Sequence, residues 1–151
     1  MTRMHVPVPL RWNDLDAYGH VNNAAMFVLL EEARIHAFWS TDEALAQSTM
    51  REGSGTLSLV ARQEIEYVAP IPYLRDPLDV QMWIGHLGGA SFSACYEVHS
   101  PASAPDDVLY ARAQTTMVLV DVSTQRPRRL TDAERTAWEP YLEEPVAFTR
   151  R

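Results

Sequence analysis

The densest group of chemically capable side chains in this sequence lies in the stretch WNDLDAYGHVNN, residues 12–23. It holds two carboxylates, Asp14 and Asp16, one imidazole, His20, and two asparagines directly before an apolar segment. A metal-binding loop and a catalytic loop would both use such residues. So would a polar turn that begins a helix, because Asp, Asn and Gly are common turn residues.

A metal-binding loop is the weakest of these three interpretations. Asp14, Asp16 and Gly19 match positions one, three and six of a calcium-binding EF-hand loop. The fifth position would be Tyr18 and the twelfth Ala25, so two oxygen ligands are missing, including the bidentate carboxylate. One histidine beside two carboxylates is too small a set for a closed zinc site unless distant residues complete it. We therefore expect no metal.

The position of Asp16 favours acyl-transfer chemistry over a bare turn. Residues 24–39, AAMFVLLEEARIHAFW, contain helix formers, no Gly and no Pro, and either Asn22 or Asn23 can cap this helix. Unpaired N–H groups and the dipole at a helix N-terminus favour negative charge. A carboxylate beside such a helix end can act as a base or nucleophile while an N–H group polarises a carbonyl. On composition alone, the turn and the catalytic loop both stay open.

The elements around this loop begin with a strand over residues 4–12, whose prolines are typical of a sheet edge. The first half of the following helix is apolar on every side, which predicts a helix buried all round. A shorter helical piece is predicted over residues 42–50, ending at Gly53 and Gly55.

From Leu57 to Val122 the sequence alternates as strands. The first strand is predicted to place these residues on one face: Leu57, Leu59, Ala61, Gln63, Ile65 and Tyr67. Further strands follow over residues 78–84, 91–100 and 108–122, and Thr131 with Glu134 forms a capping box that opens a short helix. Consecutive strands with short connections predict a four-stranded antiparallel meander. Curled around the apolar helix, it would give an α+β fold in one domain, residues 1–151.

Composition excludes several classes of function. All 13 basic residues are arginine, so lysine-based Schiff-base chemistry is excluded. The net charge of −7 argues against nucleic-acid binding, and the chain has no apolar run long enough to predict a membrane span. No secretory signal is visible, and Cys95, the one cysteine, fits a strand pattern and allows no internal disulfide. A cytoplasmic location is the resulting expectation.

The stretch WNDLDAYGHVNNAAMFVLLEEAR resembles the signature of hotdog-fold acyl-CoA thioesterases of the 4-hydroxybenzoyl-CoA thioesterase type. In that signature an Asp-x-Asp-x-x-Gly-His-Val-Asn-Asn loop enters a central helix that carries Glu-Glu-Ala-Arg. The segments SFSACYEV and VLVDVSTQRPRRL also fall where this family has similar ones, so the resemblance covers most of the chain. It implies a hotdog fold, an antiparallel sheet wrapped around one long central helix. It also implies hydrolysis of an acyl-CoA thioester to the free acid and coenzyme A, without a metal.

The resemblance implies roles for particular residues. Asp16 would be the catalytic carboxylate, as nucleophile or general base, and the Asn23 backbone N–H would polarise the thioester carbonyl. Asp14 would shape the loop. His20 would do the same and contact the acyl group. Met26 stands where relatives often have an aromatic residue near the acyl pocket.

Coenzyme A phosphates are expected at the turn before the fourth strand, at Gly89 and Ser91. Some family members have basic residues there, whereas this chain reads Gly-Gly-Ala over residues 88–90, so positive charge is expected to be missing. Backbone N–H groups of a glycine turn can still bind phosphate. The nearest basic cluster is either a substitute for that charge or a solvated linker: Arg126, Arg128 and Arg129.

Some hotdog thioesterases carry the carboxylate on the helix, which makes Glu31 and Glu32 alternatives to Asp16. Glu31 lies three residues before Arg34, so a local ion pair is the favoured explanation. Two other functions stay open: a non-catalytic protein that binds an acyl chain or acyl-CoA, and a thioesterase acting on acyl carrier protein. The acidic net charge disfavours the carrier protein. The resemblance implies a homodimer or homotetramer with the active site between protomers, and coenzyme A only as part of the substrate.

Overall fold

The computed structural model describes residues 2–39 and 53–149. Helix α1 spans Asn23–Trp39 and helix α2 spans Asp132–Trp138, with short 3-10 turns at Trp12–Asp14 and Glu139–Tyr141. One six-stranded antiparallel sheet contains β1 (Met4–Val8), β2 (Thr56–Tyr67), β3 (Leu78–Leu87), β4 (Ser91–His99), β5 (Leu109–Asp121) and β6 (Arg126–Pro127). No helix in the described part of the chain is long and apolar enough to cross a membrane.

The strand order β1-β3-β4-β5-β2 corrects the predicted four-stranded meander. β3, β4 and β5 are consecutive neighbours, but β2 pairs with β5 and lies at the edge opposite β1. Residues 68–77 are too long a connection for a tight hairpin, which takes roughly two to five residues. Among the described strands, β1 pairs with β3 alone, which confirms the predicted edge strand.

Helix α1 begins one residue before its predicted start, and Asn22 caps it. The Asn22 Oδ1 atom accepts a hydrogen bond from the Ala24 N–H at 2.8 Å. One side of the helix packs against the inner face of the sheet through Met26, Leu29, Leu30, Ala33, Ala37 and Phe38. The prediction of a helix buried all round is wrong for the single chain, because Val28 and Ile35 are 42% and 43% exposed. One sheet covers only one side of a helix.

A β-bulge between Val60 and Arg62 changes the predicted face of β2. Val60 pairs with Met117, on the inner face, and Arg62 pairs with the next residue of β5. Residues before and after the bulge therefore alternate out of phase. Leu57 and Leu59 lie on the outer face, opposite to Gln63, Ile65 and Tyr67, with which they were predicted to share a face.

The C-terminal residues cross the outer face of the sheet. The Glu144 carbonyl accepts from Trp83 Nε1 at 2.9 Å on β3, and the Thr149 N–H donates to Glu66 at 2.8 Å on β2. Cys95 lies buried between them, and burial raises the pKa of its thiol to about 11. The thiol is therefore protonated at neutral pH, as a packing residue would be.

The predicted terminal helix is confirmed as α2. The Thr131 hydroxyl accepts from the Glu134 N–H at 3.1 Å, and Glu134 accepts from the Thr131 N–H at 2.8 Å. Two helix N–H groups are thus satisfied by one reciprocal capping box. The helical piece predicted over residues 42–50 lies outside the described residues.

Candidate active site

The loop before α1 folds back on itself. Leu15 and Val21 face each other in an isolated antiparallel bridge, and the Asn22 N–H donates to the Asp14 carbonyl oxygen at 2.8 Å. The chain between them makes a closed turn that starts and ends beside the helix. Asp16 and the first residue of α1 therefore belong to one hydrogen-bonded unit.

This loop is anchored to the connection between β2 and β3. The Val21 N–H donates to the Ile71 carbonyl oxygen at 2.9 Å. The rings of Trp12 and Tyr73 meet edge to face with their centroids 5.3 Å apart. Two separate contacts thus fix the loop at the end of the sheet where β2 ends.

One of the two oxygens of the Asp16 carboxylate accepts hydrogen bonds within the turn. This Oδ1 atom accepts from the Tyr18 N–H at 2.8 Å and from the His20 N–H at 3.3 Å. Gly19 has φ +76°, a left-handed conformation that glycine adopts without strain. Within the described residues, the Asp16 Oδ2 atom makes no hydrogen bond. Asp16 therefore shapes the loop and still presents one carboxylate oxygen.

Asp14 has no such free oxygen. It is 1% exposed, and Arg11 takes both of its carboxylate oxygens: the backbone N–H donates to Oδ2 at 2.7 Å and Nη2 to Oδ1 at 2.8 Å. The hydrogen bond that the Arg11 guanidinium donates to Asp14 raises the pKa of this guanidinium. These are the contacts of a residue that shapes the loop.

The first N–H group of α1 is a free donor. The Ala24 N–H is bound by the Asn22 side chain and the Met26 N–H donates to the Asn22 carbonyl at 3.2 Å. In the described part of the chain, the Asn23 N–H makes no hydrogen bond, and Asn23 is exposed. A free N–H at the positive end of a helix is suited to an oxyanion.

An apolar cleft of about 250 Å³ lies beside this helix end. Val21 and Met26 line it from the loop and the helix, and residues 67–71 and 110–111 line it from the sheet. Met26 is buried, so its side chain forms part of the cleft wall. The apolar lining suits an acyl group, and Met26, which was predicted to lie near an acyl pocket, is one of the lining residues.

Tyr67 joins the cleft to the helix, and the sequence pattern did not predict this. Its hydroxyl donates to the Asn23 carbonyl oxygen at 2.8 Å. Alternation predicted only that Tyr67 is a strand residue. No local signal connects it with a helix 44 positions earlier.

His20 lies in the loop with its side chain exposed. Its carbonyl accepts from the Asp16 N–H at 2.8 Å, and its backbone pairs with Pro72 in an isolated bridge. The backbone of His20 thus holds the loop together. Among residues 2–39 and 53–149, no three His, Cys, Asp or Glu side chains are arranged to hold a metal ion.

The glycine turn between β3 and β4 does have positive charge beside it, contrary to expectation. A β-carbon placed on Gly89 would lie 3.7 Å from both Nη atoms of Arg129, and Arg135 Nη2 donates to the Gly88 carbonyl at 2.7 Å. The Leu130 N–H donates to the Gly89 carbonyl at 2.8 Å, which draws this basic segment against the turn. A contact between segments 40 positions apart (129 − 89) has no local sequence signal.

The three arginines predicted as a cluster have different surroundings. Arg128 pairs with Glu134 at 2.8 Å and is part of the packing of α2. Arg129 is exposed and lies over the turn that leads to Ser91. Arg126 lies in β6 with an exposed side chain. Arg129 is therefore the member of this cluster best placed to bind an anion at the turn.

The Asp16 loop and the glycine turn lie at opposite ends of the sheet. Val8, which leads into the loop, pairs with Leu78 at the start of β3, whereas the glycine turn follows Leu87 at its end. At about 3.3 Å per residue, β3 separates them by roughly 30 Å. A single chain therefore does not bring the predicted phosphate site next to Asp16.

The helix carboxylates have the surroundings that the sequence favoured. Glu31 lies 3.8 Å from the guanidinium of Arg34, which also donates to the Tyr96 hydroxyl at 3.1 Å. Arg34 is buried, whereas Glu31 and Glu32 are exposed. The predicted ion pair is confirmed.

Comparison with known proteins agrees with this architecture. A model of the thioesterase-like superfamily matches residues 10–142. The chain is similar to the probable thioesterase YbaW from Escherichia coli, with 26% identity and a TM-score of 0.74, covering 93% of this chain and 99% of that one. It is also similar to a Thermus thermophilus thioesterase complexed with coenzyme A and Zn, with 28% identity and a TM-score of 0.69, covering 91% and 92% of the two chains.

A curated relative is the uncharacterized Bacillus subtilis protein YsmA, 29% identical over 90 residues. That alignment spans 59% of this chain and 56% of YsmA, just over half the length of the relative. The family model, by contrast, includes the loop, α1, strands β2 to β6 and α2. The antiparallel sheet packed on one helix is the hotdog fold of these thioesterases. The chain belongs to the thioesterase-like superfamily.

Proposed function

We propose that this chain hydrolyses an acyl-CoA thioester to the free acid and coenzyme A. Asp16 acts as nucleophile or general base, and the Asn23 backbone N–H polarises the carbonyl. The observation that carries this proposal is the free Asn23 N–H at the start of α1, in the same folded loop as Asp16 and beside an apolar cleft. Membership of the thioesterase-like superfamily supports thioester hydrolysis as the reaction class.

Two routes use the same groups. As a nucleophile, an Asp16 oxygen attacks the thioester carbonyl, coenzyme A leaves as the thiolate, and water hydrolyses the mixed anhydride. As a general base, Asp16 takes a proton from the water that attacks the carbonyl. In both routes negative charge develops on the carbonyl oxygen, where the Asn23 N–H and the helix dipole stabilise it. An acyl adduct on Asp16, detected by mass spectrometry after rapid quenching, marks the nucleophilic route.

The acyl group would occupy the apolar cleft, with Met26 in its wall and His20 at the loop. The coenzyme A phosphates would bind at the glycine turn, where Arg129 supplies the charge that Gly89 and Ser91 lack. One similar structure, from Thermus thermophilus, contains coenzyme A, which is consistent with this substrate class. Coenzyme A enters here as part of the substrate and not as a bound cofactor.

A second copy of the chain would complete the site. β2 is an edge strand of 12 residues, and Val60 within it and Ile35 of α1 leave apolar surface exposed in the single chain. An open strand edge pairs readily with another chain, and a two-fold axis makes that pairing antiparallel. The proposed assembly is a homodimer, or a homotetramer made of two such dimers.

Antiparallel pairing of two β2 strands would place the Tyr67 end of one against the Thr56 end of the other. Tyr67 contacts Asn23, whereas Thr56 accepts from Arg128 Nε at 2.9 Å, next to Arg129 in sequence. The helix start of one protomer would then face the basic segment of its partner. In this arrangement the Asp16 loop of one protomer would lie near the glycine turn of its partner, although the two lie at opposite ends of the sheet within one chain.

The test is thiol release from a panel of short, long and aromatic acyl-CoA substrates by wild type, Asp16→Asn and Asp16→Ala. Asp16→Asn keeps an oxygen that can accept from the Tyr18 and His20 N–H groups, so it removes the charge and preserves the turn. We expect kcat to fall by roughly 100-fold or more in both variants. Circular dichroism and thermal unfolding verify that both remain folded.

Full activity of Asp16→Ala would transfer the catalytic role to Glu31 or Glu32. If wild type releases no thiol from any acyl-CoA, hydrolysis of acyl-CoA is wrong. Tight binding of acyl-CoA by calorimetry would then identify a binding protein. Turnover of acyl carrier protein thioesters alone would identify the other alternative.

A further inference from the structure

We propose that Tyr67 is a positioning residue that holds the oxyanion-binding end of α1 in place, an inference that rests on the proposed thioester hydrolysis. Tyr67 is the last residue of β2, and its hydroxyl donates to the Asn23 carbonyl oxygen at 2.8 Å. This bond ties the end of an edge strand to the first residue of the helix.

The bond acts on the peptide group next to the oxyanion donor. Tyr67 binds the Asn23 carbonyl, and the Asn22 side chain binds the Ala24 N–H of the same peptide group at 2.8 Å. That peptide group shares the Asn23 α-carbon with the preceding one, whose N–H is the proposed donor. Holding one peptide plane from both sides limits the movement of the other. An oxyanion donor is effective only when it is held within hydrogen-bond distance of the oxygen on which charge develops.

Tyr67 is itself fixed by the sheet. It pairs with Ala111 in β5, and the Val68 and Ala69 N–H groups both donate to the Tyr110 carbonyl, at 2.8 and 3.0 Å. Burial raises the pKa of Tyr67, so its hydroxyl stays protonated and remains a donor at neutral pH. Its ring lines the apolar cleft. The residue thus connects a rigid strand end, the acyl cleft and the helix start.

The experiment compares Tyr67→Phe with the matched control Tyr73→Phe in acyl-CoA hydrolysis. Tyr67→Phe keeps the ring in the cleft and removes only the hydroxyl. We expect kcat to fall about tenfold with KM changed by less than about twofold, because a displaced donor weakens binding of the transition state more than of the substrate. Tyr73 contacts Trp12 through its ring, so Tyr73→Phe is expected to retain wild-type kcat and KM.

Backbone amide exchange by NMR separates failure of this inference from failure of the proposed function. We expect the Ala24 amide to exchange faster in Tyr67→Phe than in wild type, whether or not the chain hydrolyses acyl-CoA. The role of Tyr67 is overturned if Tyr67→Phe leaves Ala24 exchange or kcat unchanged. It is also overturned if Tyr73→Phe loses as much kcat as Tyr67→Phe. A rise in KM that matches the loss in kcat overturns it as well. An inactive wild type with faster Ala24 exchange refutes acyl-CoA hydrolysis and leaves the anchoring of the helix by Tyr67 supported.

Discussion

Two aspartates of the same loop have different roles because their surroundings differ. Asp14 is buried and gives both carboxylate oxygens to Arg11, whereas Asp16 gives one oxygen to the turn. A carboxylate oxygen that already accepts hydrogen bonds is a weaker base and nucleophile, since those bonds stabilise its negative charge. The Asp16 Oδ2 atom is therefore the better candidate for the chemistry.

A single arginine is predicted to recognise coenzyme A. Arg129→Ala is expected to raise KM for an acyl-CoA roughly tenfold, because a hydrogen bond to a charged group contributes about 1.5–3 kcal/mol. Pantetheine lacks the nucleotide phosphates of coenzyme A. With the same acyl group carried on pantetheine, Arg129→Ala is therefore expected to leave KM unchanged. Steady-state kinetics with the two substrates measures the difference.

Arg126→Ala is the matched control for this prediction. It removes the same charge from an exposed side chain in β6, whereas Arg129 lies over Gly89. An equal effect of both substitutions on acyl-CoA would mean that only net charge matters. No effect of Arg129→Ala would remove Arg129 from the proposed site.

Among the elements, the C-terminal segment fixes the outer face of the sheet to the N-terminus. Arg3 donates to both carboxylate oxygens of Glu143, at 2.9 and 2.7 Å, and to Glu97 at 2.6 Å. Its guanidinium also lies 4.0 Å from the ring centroid of Trp83. This cluster connects β1, β3, β4 and the terminal segment through one side chain.

The pH dependence of stability tests this cluster. The hydrogen bond from Arg3 lowers the pKa of Glu143 below its ordinary value of 4.5. A lowered carboxyl pKa stabilises the fold above the unfolded value, and this stabilisation is lost as the pH falls through the folded value. Glu143→Gln is expected to lower the free energy of unfolding by about 1 kcal/mol at neutral pH. The difference from wild type should shrink below pH 4.5.

Urea unfolding over this pH range measures the effect, with Glu144→Gln as the control. Glu144 is the adjacent carboxylate, is exposed, and contributes its backbone carbonyl to the contact with Trp83. Equal destabilisation by both substitutions, or a difference that persists at low pH, would contradict a specific ion pair between Arg3 and Glu143.

For the whole molecule, the separation of the loop and the glycine turn makes assembly part of function. Val60→Glu places a charge at the exposed edge of β2 and is expected to give monomers near 17.1 kDa by light scattering, where wild type gives about twice that mass as a homodimer or four times as a homotetramer. Because each proposed site takes residues from two protomers, acyl-CoA hydrolysis should be lost at the same time.

Val122→Glu is the matched control, because it introduces the same change in the turn after β5. Val122 is 43% exposed and Val60 is 44% exposed. Val122→Glu should retain both assembly and activity. A monomeric wild type with full activity would refute the shared site, as would dimers of Val60→Glu that have no defect.

Local sequence determined much of this protein. The extent of α1, the Asn22 cap and the Thr131 capping box follow from residues within one or two turns of each other. The alternation between Leu57 and Val122 predicted the strands β3, β4 and β5, and a loop motif pointed to Asp16. These features depend on backbone propensity and short-range hydrogen bonds, which neighbouring residues specify.

Only the tertiary structure decided which distant segments meet. The pairing of β2 with β5, the bulge after Val60, the position of Arg129 over Gly89 and the bond from Tyr67 to Asn23 all join positions far apart in the chain or shift a local register. Alternation indicates that a strand has an apolar face, but any apolar neighbour satisfies it, so the pattern does not choose a partner. Strand pairing is determined by the folded core as a whole, because the sheet must cover one side of α1 while every buried backbone group finds a hydrogen-bond partner.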